Sequence, residues 1–405
     1  MTSVVPETPP RGTRPRNRRA ITIEAATELF WRRGYAAVSM SDIADATNVG
    51  ASALYRHFPS KSELLVAAVH AGLAGYAAVL DDADSRDDPQ DRLSFVIERL
   101  AETSLDHRAL GVLWQREARN LEDSEQRVLR DELTSHTRRV AELILATRSD
   151  LDARRADLLA WCAMGALVSP SFHSATLPRS QFVEVMVDLV TTITSLPMPA
   201  AERAEPGGVD PAPAESRRDS IITVATELFA EHGFAATGID EIGEAAGIAG
   251  PSVYSHFENK AAILVAAIER AHVMLRVDRD EILGSDLAPM QKLARLIDSY
   301  VRVANSDRAV IRILLSELMN LPDADREAAR KLQRDYIDAW VDLYREFSDA
   351  DTTTARIRVQ AVLLIVNDAV QTPHLRTRPG FEQTLSRMSK TLLGIQPLQS
   401  GVVLA

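Results

Sequence analysis

A single cysteine among 405 residues, Cys162, excludes an intramolecular disulfide and a cysteine metal site, and suits a small buried apolar side chain. Histidine is sparse too. Nine are scattered along the chain without the His-x-x-x-His spacing that gathers ligands on one helical face, so no metal and no cofactor is expected. No apolar run reaches the length of a membrane span and the N-terminus lacks the apolar segment of a signal peptide, which leads to the expectation of a cytoplasmic protein. Period-2 alternation and β-branched clusters are nearly missing, which argues against sheet. No nucleophile and base pair, phosphate loop or metal cluster stands out, so an enzyme is not expected.

What the chain does contain is itself, twice. Ala26-Thr27-Glu28-Leu29-Phe30 returns as Ala225-Thr226-Glu227-Leu228-Phe229, a spacing of 199 residues. Between Arg18–Val69 and Arg217–Ile268 about 20 of 52 positions are identical, and most others exchange one apolar residue for another. A repeat of that length is a whole domain and not a solenoid unit. At 46% hydrophobic and 25% charged the composition is that of ordinary globular protein.

Apolar positions recurring at three and four predict an all-α fold of two halves, with about nine helices each. The expected organisation is a basic tail 1–17, a first helix-turn-helix domain 18–72, a first helical ligand-binding and pairing domain 73–196, and a Pro/Ala/Glu-rich linker 197–215. A second helix-turn-helix domain 216–270, a second helical domain 271–394 and a tail 395–405 follow. Charge is unevenly placed. The net charge is −11, yet residues 1–61 hold nine Lys/Arg against five acids, whereas 214–260 hold three against eight. If both copies face phosphate, the first supplies most of the attraction.

The start of each half is the most legible part. A helix over Arg18–Arg33 turns Ile21, Ala25, Leu29 and Phe30 inward and stops at Gly34, which suits a left-handed cap. Ser39 and Asp42 form a capping box for a short second helix. Asn48, or Gly247 in the second copy, takes the turn into a third helix over Ala51–Phe58. Pro59 ends it, and Ser60 with Glu63 forms a second capping box before a longer helix from Lys61. This order is a helix-turn-helix.

In Gly50-Ala51-Ser52-Ala53-Leu54-Tyr55-Arg56-His57-Phe58, Leu54 and Phe58 make the inward stripe. The small residues Ala51, Ser52 and Ala53 allow close approach to base edges. Tyr55 and His57 are placed to donate to phosphate oxygens, Lys61 sits where a helix N-terminus also attracts phosphate, and Arg56 reaches a guanine or the backbone. The same spacings also fit half-buried packing for Tyr55 and His57, and a solvated helix end for Lys61.

The pattern Ala26-x-x-Leu29-Phe30-x-x-x-Gly34-Tyr35, then Ile43-Ala44, then Leu54-Tyr55-x-His57-Phe58-x-x-Lys61-x-x-Leu64-Leu65 resembles the N-terminal domain of the TetR family of bacterial transcriptional regulators. The second copy repeats it from Ala225 to Leu264. The resemblance implies that Ser39, Tyr55, His57 and Lys61 hold phosphates, and that Thr237, Tyr254, His256 and Lys260, with Gly250, Pro251 and Ser252 near bases, match them. Length and architecture are similar to double TetR-type regulators of actinobacteria, some of which control lipid-uptake operons. This chain departs from the family at the start of the recognition helix, with Gly50 and Ser52 in the first copy and Ala249 and Pro251 in the second; Gly238 stands where Ser39 caps. The second head is thus expected to be the weaker reader.

The resemblance further implies paired C-terminal helices and a small-molecule cavity in each half. The pairing helices fall at 153–174, 179–196, 353–374 and 380–393, with apolar stripes that include Leu158, Leu159, Val183, Val187, Val190, Val362, Ile365, Val366 and Leu392. The halves either pair with each other as a pseudo-dimer within one chain or pair with a second chain. Glu117-x-x-Asn120 returns as Glu317-x-x-Asn320, which suits structural capping or a cavity mouth. Candidate pocket walls are Phe95, Leu113, Trp114, Tyr300, Leu314, Leu318, Tyr336 and Trp340, which equally suit plain core; an effector would be a small hydrophobic molecule, lipid-like or an acyl-thioester. The leading expectation is a repressor on operator DNA with unlike half-sites. The other is a ligand-sensing scaffold in which only the first head touches DNA.

Overall fold

The computed structural model describes residues 18–198 and 216–396, and every regular element among them is helical. The expected tail 1–17, most of the linker and the last residues of the C-terminal tail lie outside the described residues. The first half comprises α1 (Arg18–Arg33), α2 (Met40–Ala46), α3 (Ala51–His57), α4 (Lys61–Ala83) and α5 (Pro89–Asp106). It continues with α6 (Leu110–Val112), which runs on as a π turn (Leu113–Glu117) and a 3-10 turn (Ala118–Asn120), then α7 (Asp123–Thr147), α8 (Ala153–Val168) and α9 (Arg179–Thr194). The second half gives α10 (Arg217–His232), α11 (Ile239–Ala245), α12 (Gly250–Val253), α13 (Lys260–Gly284), α14 (Pro289–Ser306) and α15 (Arg308–Ser316). It ends with α16 (Asp323–Arg345), α17 (Thr352–Gln371), α18 (Pro373–Arg376) and α19 (Phe381–Leu392).

The chain divides into two compact units whose border differs from that of the sequence repeat. Among the described residues, one holds 18–160 and 167–172, and the other 161–166, 173–198 and 216–396. In the first unit α4 is the central helix, packed against α1, α5 and α7. By length and composition α4 is apolar enough to cross a membrane, which corrects the expectation that no such run exists. Its apolarity has another use here, because Leu64, Leu65, Val69, Leu73, Tyr76 and Leu80 are buried in the unit's core.

On α1 the buried stripe is Thr22, Ala26 and Phe30, one position on from the expected one, with Ile21, Ala25 and Leu29 half-buried. Thr22 tolerates burial because its hydroxyl donates to the Arg18 carbonyl at 2.9 Å.

In the second unit α13 packs against α10, α14 and α16, and α9 lies against α17 and α19. The α9 contact includes an Asp188–Arg358 ion pair of 2.6 Å. Within the same unit Trp161 meets His374 edge-on with centroids 5.7 Å apart, and Gly165 lies beside Asp368 and the Ile365 backbone. The expected helices 153–174 and 353–374 are both shorter. Pro170 falls in the 3-10 turn Ser169–Phe172, and Pro373 starts the separate α18, since proline cannot donate to the preceding turn.

Burial pushes His136 and His272 below the ordinary histidine value; around His136 the carboxylates of Glu132 and Asp81 oppose this, while Arg139 and His70 reinforce it. Both imidazoles are therefore neutral in the fold, whereas the unfolded chain takes up protons once pH falls through about 6.5. Their contribution to stability is present above that value and is lost on acidification. Thermal unfolding midpoints are expected to fall between about pH 7.5 and about pH 5.5, with a shallower fall in His136→Gln, as read by circular dichroism.

Candidate nucleic-acid interface

Local signals set the first head. Gly34, at φ +81°, ends α1, and Ser39 caps α2 in a full capping box: its Oγ accepts from the Asp42 amide at 3.1 Å and its own amide donates to Asp42 Oδ2 at 2.7 Å. Hydrogen bonds from the Ser39 side chain and backbone hold the Asp42 carboxyl down to about 2, so the box stays charged at any physiological pH. Asn48 makes the turn at φ +51°, and Gly50 caps α3 without a side-chain bond. Ser60 Oγ accepts from the Glu63 amide at 3.1 Å, the Ser60 half of the second expected box.

Under α3, Leu54 and Phe58 are each 1% exposed, and the Arg19 guanidinium lies 5.1 Å from the Phe58 ring. Outward point Ser52, Tyr55, Arg56 and His57, with Ala53 half-buried and Ser39 exposed at the start of α2. Tyr55 is a large aromatic left 51% exposed, with its hydroxyl on the outward side of α3.

The second head keeps the plan with changed parts. Gly233 and Gly247 adopt φ +82° and +68°, and Val253 and Phe257 form the inward stripe, with Arg218 4.6 Å above the Phe257 ring. Tyr254 is 57% exposed, and Pro251, Ser252, Ser255 and His256 are exposed beside it. Its reading helix α12 is a single turn, with the chain turning through Tyr254–His256. Gly238 offers no side-chain cap, and only the return bond from its amide to Glu241 Oε2, at 3.2 Å, is made.

Several expected site residues are used differently. Thr237 is 1% exposed, with its hydroxyl donating to the Gly233 carbonyl at 2.9 Å; it is not free for phosphate, and Gly238 holds the position of Ser39. Gly250 is buried instead of facing bases. A Cβ on Gly243 would come within 2.8 Å of Gly250 Cα, so this glycine pair lets α11 and α12 touch backbone to backbone. The first head has Ala44 and Ala51 at these places. Gly243→Ala is expected to destabilise the second head by about 1–3 kcal/mol, seen as an earlier transition in chemical denaturation.

Lys61 is half-buried, with its ammonium donating to the carbonyls of Tyr35 and Val38, both at 2.8 Å, and lying 4.2 Å from the Tyr35 ring centre. Lys260 does the same with Phe234 at 2.6 Å and Thr237 at 2.7 Å. Burial lowers both lysines from the ordinary value. Both ammonium groups hold the loop between the first two helices of their head. Exposed in the first head are Ser39, Ser52, Tyr55, Arg56 and His57, and in the second Pro251, Ser252, Tyr254, Ser255 and His256.

Among the pocket walls, Tyr300, Tyr336 and Trp340 come together with ring centres 5.8–6.2 Å apart, and the Tyr300 hydroxyl donates to Asn367 Oδ1 at 2.8 Å. Trp340 Nε1 is buried next to the Tyr336 hydroxyl. Leu113 and Leu314 are buried, and Trp114 and Leu318 are half-buried. Phe95 is half-buried, with the Arg86 guanidinium 3.9 Å from its ring centre.

The profile described as bacterial regulatory proteins of the tetR family matches residues 23–68 and again 221–267, and one described as a tetracyclin repressor-like C-terminal domain matches 286–374. The HTH-type transcriptional repressor KstR2 of Mycobacterium tuberculosis is 33% identical over 184 residues, covering 44% of this chain and 90% of that protein. KstR2 of Mycolicibacterium smegmatis is 25% identical over 189 residues, covering 46% of this chain and 91% of that protein. Among solved structures, the ketosteroid transcriptional regulator KstR2 of Mycobacterium tuberculosis aligns at 22% identity with a TM-score of 0.38, covering 45% of this chain and 95% of that one.

Proposed function

This chain belongs to the TetR family of bacterial transcriptional regulators, and from that premise we propose that it is a repressor, released from its operator by a small hydrophobic ligand, whose two halves pair within one polypeptide. The observation that carries the reading is the outward Tyr and His on the third helical segment of each head, Tyr55 with His57 and Tyr254 with His256, each set on a buried apolar floor. Phenol and imidazole N–H or O–H groups at that edge donate to phosphate oxygens, while Ser52 and Arg56, or Pro251 and Ser252, meet base edges. Because the two sets differ, the operator has unlike half-sites. Reading such an operator places the protein in the cytoplasm.

Support for pairing within the chain comes from α9, which by sequence repeat belongs to the first half yet packs on α17 and α19. The half-buried Val183 and Val187 and the Asp188–Arg358 pair lie on that helix pair or beside it. For the effector, the Tyr300–Tyr336–Trp340 cluster supports a largely apolar, lipid-like or acyl-thioester molecule. A second reading keeps only the first head on DNA. It is favoured by the acidic balance of 214–260 and the one-turn α12.

Selection of duplexes from a random pool by the full chain, followed by binding at several salt concentrations, tests the proposal. A bound sequence with two distinct half-sites and a steep loss of affinity with salt is the expected outcome. A single half-site would support the second reading, and the absence of any enriched duplex would remove both.

A further inference from the structure

Glu117 and Glu317 are the deepest carboxylates outside the reading surfaces, 5% and 0% exposed, and both reach the same place in their own unit. Glu117 Oε2 accepts from the Tyr35 amide at 3.0 Å, and Glu317 Oε2 accepts from the Phe234 amide at 3.3 Å. Tyr35 and Phe234 each follow the left-handed glycine that ends the first helix of the head. On the other side of the same residue, Lys61 and Lys260 bind the Tyr35 and Phe234 carbonyls and sit over those rings. The ring beneath is also fixed, Tyr35 against Phe30 at 5.3 Å and Phe234 against Phe229 at 5.4 Å.

Resting on the DNA-reading role argued above, we propose that Glu117 and Glu317 are positioning residues that set the pose of each reading head on its own sensor domain. The loop they grip leads directly into α2 or α11, the helix on which the reading segment is folded. Each glutamate ends the stretch carrying a candidate pocket wall: Leu113 and Trp114 lie in the π turn closed by Glu117, and Leu314 lies on α15 just before Glu317. A π turn inside a helix is a frequent mark of a functional site. A shift of that stretch changes the hold on the loop together with its packing on the first helix of the head, α1 or α10.

The two grips are built differently. Arg116 pairs with Glu117 and also donates to the Trp31 carbonyl at 3.2 Å, tying the end of α1 to the same point. Glu317 is held by the Ser316 hydroxyl at 3.0 Å and the Asn320 amide at 2.7 Å.

The test uses the full chain, with hydrogen exchange of the 34–38 and 233–237 loops and affinity for a duplex that the unaltered protein selects from a random pool. Glu117→Ala is expected to speed exchange of its loop by about tenfold or more and to weaken duplex binding by about fivefold or more. Glu117→Gln, which keeps an acceptor oxygen, is expected to restore both to within about threefold, and Glu317→Ala and Glu317→Gln to behave likewise for 233–237. Lys61→Gln, which loosens the carbonyl side of Tyr35 without removing a buried carboxylate, provides the same loop readout should Glu117→Ala fail to fold. Unchanged exchange, or faster exchange with affinity within about twofold, overturns the proposal, as does failure of the glutamine variants to restore binding. If no duplex is selected at all, the DNA-reading premise fails on its own, and exchange alone decides whether the grip exists.

Discussion

Replacing Tyr55 and His57 together by alanine is expected to weaken binding to the selected duplex by about 100-fold or more near 0.15 M salt. Each side chain removes a hydrogen bond to an ionised phosphate, worth about 1.5–3 kcal/mol, and the two act on one backbone segment. Stability is expected to move by less than about 0.5 kcal/mol, because both side chains are exposed and the floor beneath them, Leu54 and Phe58, is untouched. The paired change Tyr254→Ala with His256→Ala is expected to weaken binding by about tenfold. The second head starts from an acidic balance and a shorter reading helix, and its contacts add less to the total. Anisotropy titrations with melting curves on the same samples separate loss of contact from loss of fold. An effect of the first pair below about threefold would remove α3 from the interface.

Trp340→Ala is expected to cost about 3–5 kcal/mol, and to lower the melting midpoint by on the order of 10 °C. The side chain is fully buried and forms the meeting point of Tyr300 and Tyr336, so deletion leaves a large void lined by groups that cannot close over it. Trp340→Phe is expected to lose far less. It keeps an aromatic ring at the meeting point of Tyr300 and Tyr336. In the first half Val140 holds the matching position, and there Val140→Ala is expected to cost only about 1–2 kcal/mol. Differential scanning calorimetry across these variants measures the contrast. Equal losses at 340 and 140 would mean that the aromatic cluster is loosely packed.

What was legible in the sequence was what is decided within a few residues. The Ser39–Asp42 box, the turn at Asn48 and the stop at Gly34 depend on backbone angles and one short side chain, and all are in place. The α1 stripe was displaced by one position because apolar periodicity alone ignores Thr22, whose hydroxyl is satisfied inside the helix. Lys61 and Glu117 were harder. Their partners lie 26 and 82 residues away, and a lysine at a helix start reads equally as a phosphate ligand or a loop clamp until the loop is placed.

The glycines of α11 and α12 carried a signal that went unread: Gly243 and Gly250 replace Ala44 and Ala51, and two such changes in one head point to a closer helix approach. The packing of α9 on α17 and α19 had no local signal at all, since an apolar stripe does not say which surface covers it.

The account rests on two unequal reading heads carried by one chain. Its most direct test compares the duplex selected by the full protein with two symmetrised versions, each built from one half-site used twice. The unlike arrangement is expected to bind at least about tenfold more tightly than either palindrome. Equal or tighter binding to a palindrome would contradict it.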